Sequence, residues 1–466
     1  MSETIFVISD LHLGGDDKFA ICTAEGRRLL EAFLGWVRKK QKAVKNVHLV
    51  VNGDSVDFLA ESEFQVFTMD DQSATAKLRK IMCRTAPIWE GFRGVLAEGA
   101  RVTFLLGNHD LELSLPGPRS LLGETLGPGR FDFLYDNQAL RVGDVIIEHG
   151  NRYDRWNSVS HEDLRNVRVQ ISRGLKPPVF KAPAGSHMVI EVMNGLKDKY
   201  SFINLLKPEN EAAIPLLAVL DPAAFAKLPD VALLAVQGTE SRRRQDEIAA
   251  DVSGEISEYH PDDRQALDVA RALAFDGEAD EIAFESVTDF LSGLKAKASA
   301  WYRRQQIEKL YKAFRYWLGP QLTTFDTGQE GKDYYDAAIA SARAGFKVVV
   351  YGHTHLAKNI ALPVGGATYL NTGTWADLMC VPASILLSES VEQAQRDLDV
   401  FVRDLENNRM ERWTGRLPTF AQIEMENGHA TSSEMYLFEG PENITKMRDG
   451  RLSRLLVNTD AAGVVE

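Results

Sequence analysis

Five short apolar runs along the chain are each followed by an aspartate, asparagine or histidine. They cover residues 5–9, 47–51, 101–106, 145–148 and 346–351. Their lengths and apolar content are typical of buried parallel strands. The second run is the central one, because Gly53 and Asp54 follow it. Since ligands bind at the carboxyl ends of the strands in an open α/β sheet, the pattern predicts an α/β fold with its chemistry at one edge.

Amphipathic helices and further strands are predicted around these runs. Residues 28–40 and 73–98 carry apolar side chains at helical spacing, and Pro87 interrupts the second stretch. Shorter strand patterns cover residues 131–136, 138–142, 359–363 and 367–370. Near the end of the chain, a helix over 388–407 precedes strands at 420–425 and 434–439. Asn427-Gly428 between those two strands predicts a hairpin turn.

Residues 151–345 are too long for a connection and too regular for disorder. Their periodicity predicts a mainly helical insertion. Breaks are expected at Pro177, Pro178, Pro183, Pro208, Pro215 and Pro229. One helix, residues 300–318, combines an apolar face with basic and aromatic side chains. It is either a core-packed helix with a solvated basic face or a lid or membrane-surface helix that grips an anionic or lipidic substrate.

Composition and charge narrow the class of protein. The 466 residues carry a net charge of −13, which argues against non-specific binding to nucleic acid unless a local basic patch overrides it. Three widely spaced cysteines form no disulfide framework, which fits a reducing compartment. The first residues enter a strand at once, and no apolar run approaches the ~20 residues that span a bilayer. We therefore expect a cytoplasmic protein.

The residues at the strand ends are those that bind transition metals. The candidate ligands are Asp10, His12, Asp54, Asn108, His149, His353 and His355. Carboxylate or amide oxygen together with imidazole nitrogen suits Mn, Fe or Zn. Taken alone, Asp54 would be a salt-bridge partner or helix cap, and a histidine such as His109 would satisfy local hydrogen bonds. Together they favour a two-metal site with Asp54 as the bridge, and Asp57 orienting a ligand.

The ordered motifs D10-x-H12, G53-D54-x-x-D57, G107-N108-H109-D110, H149-G150 and G352-H353-x-H355 resemble those of the calcineurin-like metallophosphoesterase superfamily. The resemblance covers residues 5–150 and 346–375 and implies a four-layer αββα sandwich. It implies two divalent ions, Mn²⁺ with Fe or Zn as alternatives. The first ion would be held by Asp10, His12, Asp54 and His355. The second would be held by Asp54, Asn108, His149 and His353.

The same resemblance implies a reaction. A hydroxide bridging the ions would attack a phosphomonoester, phosphodiester or pyrophosphate, while His109 protonates the leaving group and Asp110 orients His109. Arg152, three residues beyond His149, is expected to approach a non-reacting phosphate, or else to pair only with Asp154. Nuclease activity and an inactive binding scaffold of the same fold are the alternatives.

The sequence divides into four parts. Residues 1–150 and 346–385 form the metallophosphoesterase core, 151–345 a lid or substrate domain, and 386–466 a C-terminal helix and hairpin extension. The stretches ISDLHLGG and NTGTW are most similar to the UDP-2,3-diacylglucosamine pyrophosphohydrolase branch, which has arginine in place of His109 and a shorter insertion. The expected substrate is a phosphorylated small molecule, nucleotide or lipid, with peripheral membrane contact through the insertion.

Overall fold

The computed structural model of the chain describes residues 2–15, 20–61, 67–154, 157–183, 185–186, 205–207, 300–317, 326–379, 381–386, 388–407, 409–410 and 412–447. Within them, two β-sheets face each other and helices cover their outer faces, as the αββα prediction requires. The predicted breaks at Pro208, Pro215 and Pro229 lie outside the described residues. No helix of the described part is long and apolar enough to cross a membrane.

The strands and helices follow in chain order. The strands are β1 (Ser2–Ile8), β2 (Val47–Asn52), β3 (Arg101–Leu105), β4 (Arg130–Leu134), β5 (Leu140–Val142), β6 (Val145–Ile147), β7 (Val348–Tyr351), β8 (Lys358–Ala361), β9 (Thr368–Asn371), β10 (Asp377–Met379), β11 (Thr414–Arg416), β12 (Thr419–Glu426), β13 (His429–Phe438) and β14 (Ile444–Lys446). The helices are α1 (Ala24–Val44), α2 (Asp71–Arg84), α3 (Ala86–Ala97), α4 (Pro116–Leu126), α5 (His161–Ser172), α6 (Ala300–Trp317), α7 (Lys332–Arg343), α8 (Ala383–Leu386) and α9 (Val391–Glu406).

The first sheet has the order β14-β13-β12-β1-β2-β3-β4, and the second has the order β5-β6-β7-β9-β8. Strands β1 to β4 are parallel, as are β6, β7 and β9. The predicted C-terminal hairpin is confirmed, and its turn residues Asn427 and Gly428 have φ of 52° and 85°, as a two-residue hairpin turn requires. Strand β12 also pairs antiparallel with β1, so the hairpin completes the first sheet.

Successive side chains of a strand point to opposite faces of the first sheet, so each face contributes to a separate hydrophobic core. In β1, Ile5 and Val7 face the second sheet, while Phe6 and Ile8 face helices α1 and α3. On the far side of the second sheet, Ala338 of α7 packs in the same cluster as Tyr351 and Tyr369. The four layers fix the carboxyl ends of β1, β2, β3, β6 and β7 relative to one another.

Three helical predictions are refined by the structure. The 73–98 stretch is two helices, and Pro87 lies in the first turn of α3, where its missing N–H costs nothing. Helix α7 lies inside the segment predicted as the insertion but forms the outer layer of the second sheet. In α6, Phe314 is buried and Arg303 pairs with Asp399 and Glu406 of α9. These contacts fit the core-packed interpretation of that helix.

Candidate metal centre

The seven predicted ligands lie together at the carboxyl ends of strands from both sheets. Three of them, Asp10, His12 and His355, have ligand atoms within 4.8 Å of one another. A second group, Asp54, His149 and His353, meets the same limit, and Asn108 Oδ1 lies 3.3 Å from His149 Nε2. The prediction that five distant segments converge on one site is therefore matched by the positions of all seven side chains.

The backbone at the site is held in an unusual conformation. Eight non-glycine residues in the described part have positive φ, and five of them are predicted ligands: Asp10 (53°), His12 (46°), Asp54 (49°), His353 (70°) and His355 (63°). The left-handed region costs an L-residue about 1–3 kcal/mol. Such strain persists only where the surrounding fold imposes it, and here it is concentrated on the residues expected to do the chemistry.

Two glycines allow the strand ends to approach this closely. A Cβ on Gly53 would lie 2.3 Å from His149 Nδ1, and one on Gly107 would lie 2.1 Å from Asp54 Oδ1. Neither position has room for a side chain. The glycine before Asp54 and the glycine before Asn108 in the sequence motifs are therefore steric requirements of the ligand cluster.

In the first group, the two histidine rings point at each other. His12 Nε2 and His355 Nε2 are 2.9 Å apart, and Asp10 Oδ1 lies 3.4 Å from His355 Nε2. Asp10 is fully buried, yet this Oδ1 atom accepts no well-aligned hydrogen bond, while its other oxygen accepts one from the His353 N–H at 3.0 Å. A buried carboxylate oxygen without a donor is costly, so this arrangement fits a cation between the three side chains.

In the second group, Asp54 faces both sets of histidines. Its Oδ2 lies 3.2 Å from His149 Nε2 and 3.8 Å from His12 Nε2, and it too accepts no well-aligned hydrogen bond. Its Oδ1 accepts the backbone N–H of His109 at 2.8 Å. The Nδ1–H of His149 donates to the Asn52 carbonyl at 2.8 Å, which leaves Nε2 as the nitrogen that faces the site. Asp54 Oδ2 therefore lies between a histidine of the first group and a histidine of the second.

The electrostatics of the cluster also suit cations. Burial opposes ionisation of Asp10, but the adjacent His355 side chain and the charge of His149 outweigh it and lower the pKa of Asp10 to about 2. The pKa of Asp54 is likewise held well below its usual range, against burial, chiefly by His149. Burial also opposes protonation of His149, yet Asp54 raises the pKa of that imidazole to about 10. The buried carboxylates thus retain their charge because the positive charge of His149 lies beside them, a place that a bound cation could take.

The ring of His109 lies beside the first group and is oriented by Asp57. Its Nδ1–H donates to Asp57 Oδ1 at 3.3 Å, and the side chain is 22% exposed. Asp57 Oδ2 also lies 3.6 Å from His12 Nδ1, which is too far for a hydrogen bond, so the ring that Asp57 orients is that of His109.

The role predicted for Asp110 needs correction. Its Oδ2 accepts from Ser55 N–H (2.8 Å) and Oγ (2.9 Å), and its Oδ1 accepts from the Gly107 N–H at 2.7 Å. Asp110 therefore joins the loops that follow β2 and β3, and the orienting contact to His109 belongs to Asp57. Burial and the neighbouring Asp54 raise the pKa of Asp110 to about 6.

Residues just after His149 also lie at the site, and the contact of one of them, Asp154, with a candidate ligand was not expected from the sequence. His353 Nε2–H donates to Asp154 Oδ2 at 2.9 Å, so Asp154 is bonded to a candidate ligand. Arg152 lies half-exposed with its Nη1 3.8 Å from Glu148 Oε2, and it lines a groove together with His149 and His161. The position of Arg152, three residues beyond His149, was the sequence signal for this region, and it gave no role to Asn157.

Comparison with known proteins is consistent with this geometry. Residues 3–179 match the family model described as calcineurin-like phosphoesterase. That range includes five of the seven candidate ligands, from Asp10 to His149, together with His109. A search of curated proteins found no match.

Proposed function

We propose, from the premise that the chain belongs to the calcineurin-like phosphoesterase superfamily, that it cleaves a phosphate ester or pyrophosphate bond with two divalent cations. Membership and the clustered His and Asp side chains make the protein a metal-dependent phosphoric ester hydrolase. The number of ions and the bond cleaved are the proposal. The observation that carries it is Asp54 Oδ2, which lies buried without a well-aligned donor between His12 and His149.

Each ion would have one shared and three separate ligands. Asp10, His12 and His355 would hold the first ion together with Asp54. Asn108, His149 and His353 would hold the second, also with Asp54. The mixed oxygen and nitrogen set suits Mn²⁺, with Fe or Zn as alternatives. When bound, such a pair supplies Lewis acidity that polarises a phosphoryl group and lowers the pKa of water.

The protein's own contribution to leaving-group departure would come from His109. Because its Nδ1–H donates a hydrogen bond to Asp57, Nε2 is the ring nitrogen that would carry a proton to the departing oxygen. Partial exposure gives a substrate access to this side chain, whereas His12 beside it is fully buried. A positioned general acid contributes about 10²–10⁴-fold to the rate.

Substrate choice would lie with the insertion, whose first residues lie beside the ligand cluster. Asp154 accepts a hydrogen bond from His353, and Arg152, two residues earlier, is a candidate to bind a non-reacting phosphate group of the substrate. Farther along the insertion, the backbone N–H of Lys207 donates to the Met379 carbonyl at 2.8 Å, and the Lys207 side chain is largely buried. Burial together with the Lys207 charge lowers the pKa of His355 to about 3. Arg152, together with the positive charge that Lys207 exerts on His355, supports a substrate with more than one anionic group, such as a nucleotide or a phosphorylated lipid precursor.

A comparison of Asp54→Asn with the parent protein tests the proposal. Asp163→Asn is the matched control, because Asp163 is an exposed carboxylate in the first turn of α5. The substrates are p-nitrophenyl phosphate, bis-p-nitrophenyl phosphate and a panel of nucleotides, sugar nucleotides, phospholipids and oligonucleotides. We expect a chelator to abolish hydrolysis and Mn²⁺ to restore it in the parent and the control. Asp54→Asn should lose at least ~10²-fold in kcat together with bound metal. Normal turnover by Asp54→Asn would refute the bridging role, and preference for oligonucleotides would favour a nuclease.

A further inference from the structure

The loop that leaves the core after His149 folds back on itself beside the ligand cluster. We call residues 151–154 and 157 the root loop, since it is the first part of the insertion. The Asp154 N–H donates to the Asn151 carbonyl at 3.1 Å, and the Asn157 N–H donates to the Asp154 carbonyl at 3.2 Å. Asn151 Nδ2 closes the loop by donating to the Asn157 carbonyl at 2.9 Å. These bonds fix the side chains of Asp154 and Asn157 relative to the strand that ends in His149.

A continuous hydrogen-bond chain runs through this loop and connects two candidate ligands. His353 Nε2–H donates to Asp154 Oδ2 at 2.9 Å, and Asn157 Nδ2 donates to the same oxygen at 2.6 Å. Asn108 Nδ2 then donates to Asn157 Oδ1 at 3.3 Å. Both ends of the chain, Asn108 and His353, belong to the ligand set of the second ion.

The chain determines which atoms these two ligands present. An asparagine binds a cation through its oxygen, and the bond from Asn108 Nδ2 to Asn157 leaves Oδ1 directed at His149 Nε2, 3.3 Å away. For His353, the bond from Nε2–H to Asp154 leaves Nδ1 as the nitrogen available to a cation. Without these partners, the Asn108 amide could turn its NH₂ group toward the site and the His353 ring could rotate.

The first ligand set is held by other contacts. The Asp10 carboxylate accepts the backbone N–H of His353, a bond that does not involve the His353 ring, and Asp57 Oδ2 lies 3.6 Å from His12 Nδ1. The side-chain bonds of Asp154 and Asn157 reach His353 and Asn108, which both belong to the second ligand set. The two ions would therefore depend on different parts of the chain.

We propose that Asp154 and Asn157 are positioning residues that set the affinity of the second ion selectively, so that the root of the insertion controls its occupancy. This inference rests on the proposed two-ion function. It links the part of the chain assigned to substrate choice with one ion of the centre. A change in the root loop would then alter the second ion while leaving the first in place.

Mn²⁺ binding to the full chain provides the test, with Asp154→Ala, Asn157→Ala and the conservative Asp154→Asn as variants. Asp163→Ala is the control, since it removes an exposed carboxylate from the same region. Calorimetric titration and metal analysis give the stoichiometry, and electron paramagnetic resonance separates a spin-coupled Mn²⁺ pair from an isolated ion. We expect the parent and the control to bind two ions. The two alanine variants should keep one affinity and weaken the other by about 10–100-fold, with the coupled signal replaced by that of an isolated ion. Asp154→Asn, which retains an acceptor for His353, should lie between.

Three results would overturn the inference, and they are distinguishable. Unchanged affinities in both alanine variants would mean that the hydrogen-bond chain does not position the ligands. Equal weakening of both ions, or loss of the folded state in all three variants, would make the root loop a general structural support. A parent protein that binds a single ion would overturn the two-ion proposal, and this inference with it.

Discussion

Replacing Gly107 by alanine tests how closely the strand ends must approach. The added Cβ would lie 2.1 Å from Asp54 Oδ1 and 2.4 Å from Asp54 N, whereas Cβ contacts below 3.0 Å are essentially never seen. Gly107 is not among the residues with positive φ, so alanine itself is compatible with the backbone. The effect of the substitution is therefore steric and falls directly on the proposed bridging residue.

The size of the effect follows from that clash. Asp54 is buried and its Oδ1 is held by the His109 N–H, so the strand ends must separate by roughly 1 Å. A displacement of that size at a reacting centre costs about 10²-fold in rate. Overpacking of a dense site lowers the free energy of unfolding by about 1–3 kcal/mol. We expect both losses in Gly107→Ala.

The assays are Mn²⁺-dependent hydrolysis of bis-p-nitrophenyl phosphate, metal content and chemical denaturation. Gly123→Ala is the matched control, because a Cβ there has no heavy atom within 4 Å and the residue lies in helix α4. That control should keep full activity and gain up to about 1 kcal/mol from helix propensity. Gly107→Ala with two bound ions and near-normal kcat would refute the steric reasoning and the assignment of Asp54 to the centre.

Three further substitutions make separate predictions. His109→Ala should lower kcat by about 10²-fold or more for an alkyl phosphate and by less for a nitrophenyl ester, whose leaving group needs no proton; equal losses would exclude His109 as the acid. Arg152→Gln should raise KM several-fold for a nucleoside diphosphate and leave KM for p-nitrophenyl phosphate unchanged, and a uniform effect would argue against phosphate binding. Glu112 is fully buried, and burial raises its pKa to about 7. Because the folded state favours the neutral Glu112 carboxyl group, this group's contribution to the free energy of unfolding is fully present below its unfolded pKa, near 4.5. The contribution is lost as the pH rises through the folded pKa of about 7. This loss is on the order of 3 kcal/mol. Glu112→Gln should flatten the pH dependence of unfolding over that range in the presence of a chelator, and parallel curves would contradict the assignment.

The strand ends and the candidate ligands could be predicted because their signals are local. Each is an apolar run followed within a few residues by a glycine or a polar side chain, and parallel strands bring such ends to one edge. The predicted turn at Asn427-Gly428 is confirmed for the same reason, since the dipeptide itself favours positive φ.

What the sequence missed depends on contacts between distant segments. Asp110 was expected to orient His109 because it follows it in the chain, but the packing of the loop after β2 directs Asp110 onto Ser55 and brings Asp57 to His109. The bond between Asp154 and His353 spans 199 positions. The pairing of β12 with β1 likewise joins distant segments, since Ile5 lies opposite Ile423. It could not be predicted, because the apolar pattern of a strand does not specify its neighbour.

The most direct test of two cations on either side of Asp54 is anomalous X-ray diffraction from crystals of the full chain grown with Mn²⁺. We expect two anomalous peaks about 3.5–4 Å apart with the Asp54 carboxylate between them. One peak should lie against Asp10, His12 and His355. The other should lie against Asn108, His149 and His353. A single peak at full Mn²⁺ occupancy, or a pair of peaks that Asp54 does not touch, would contradict the two-ion centre.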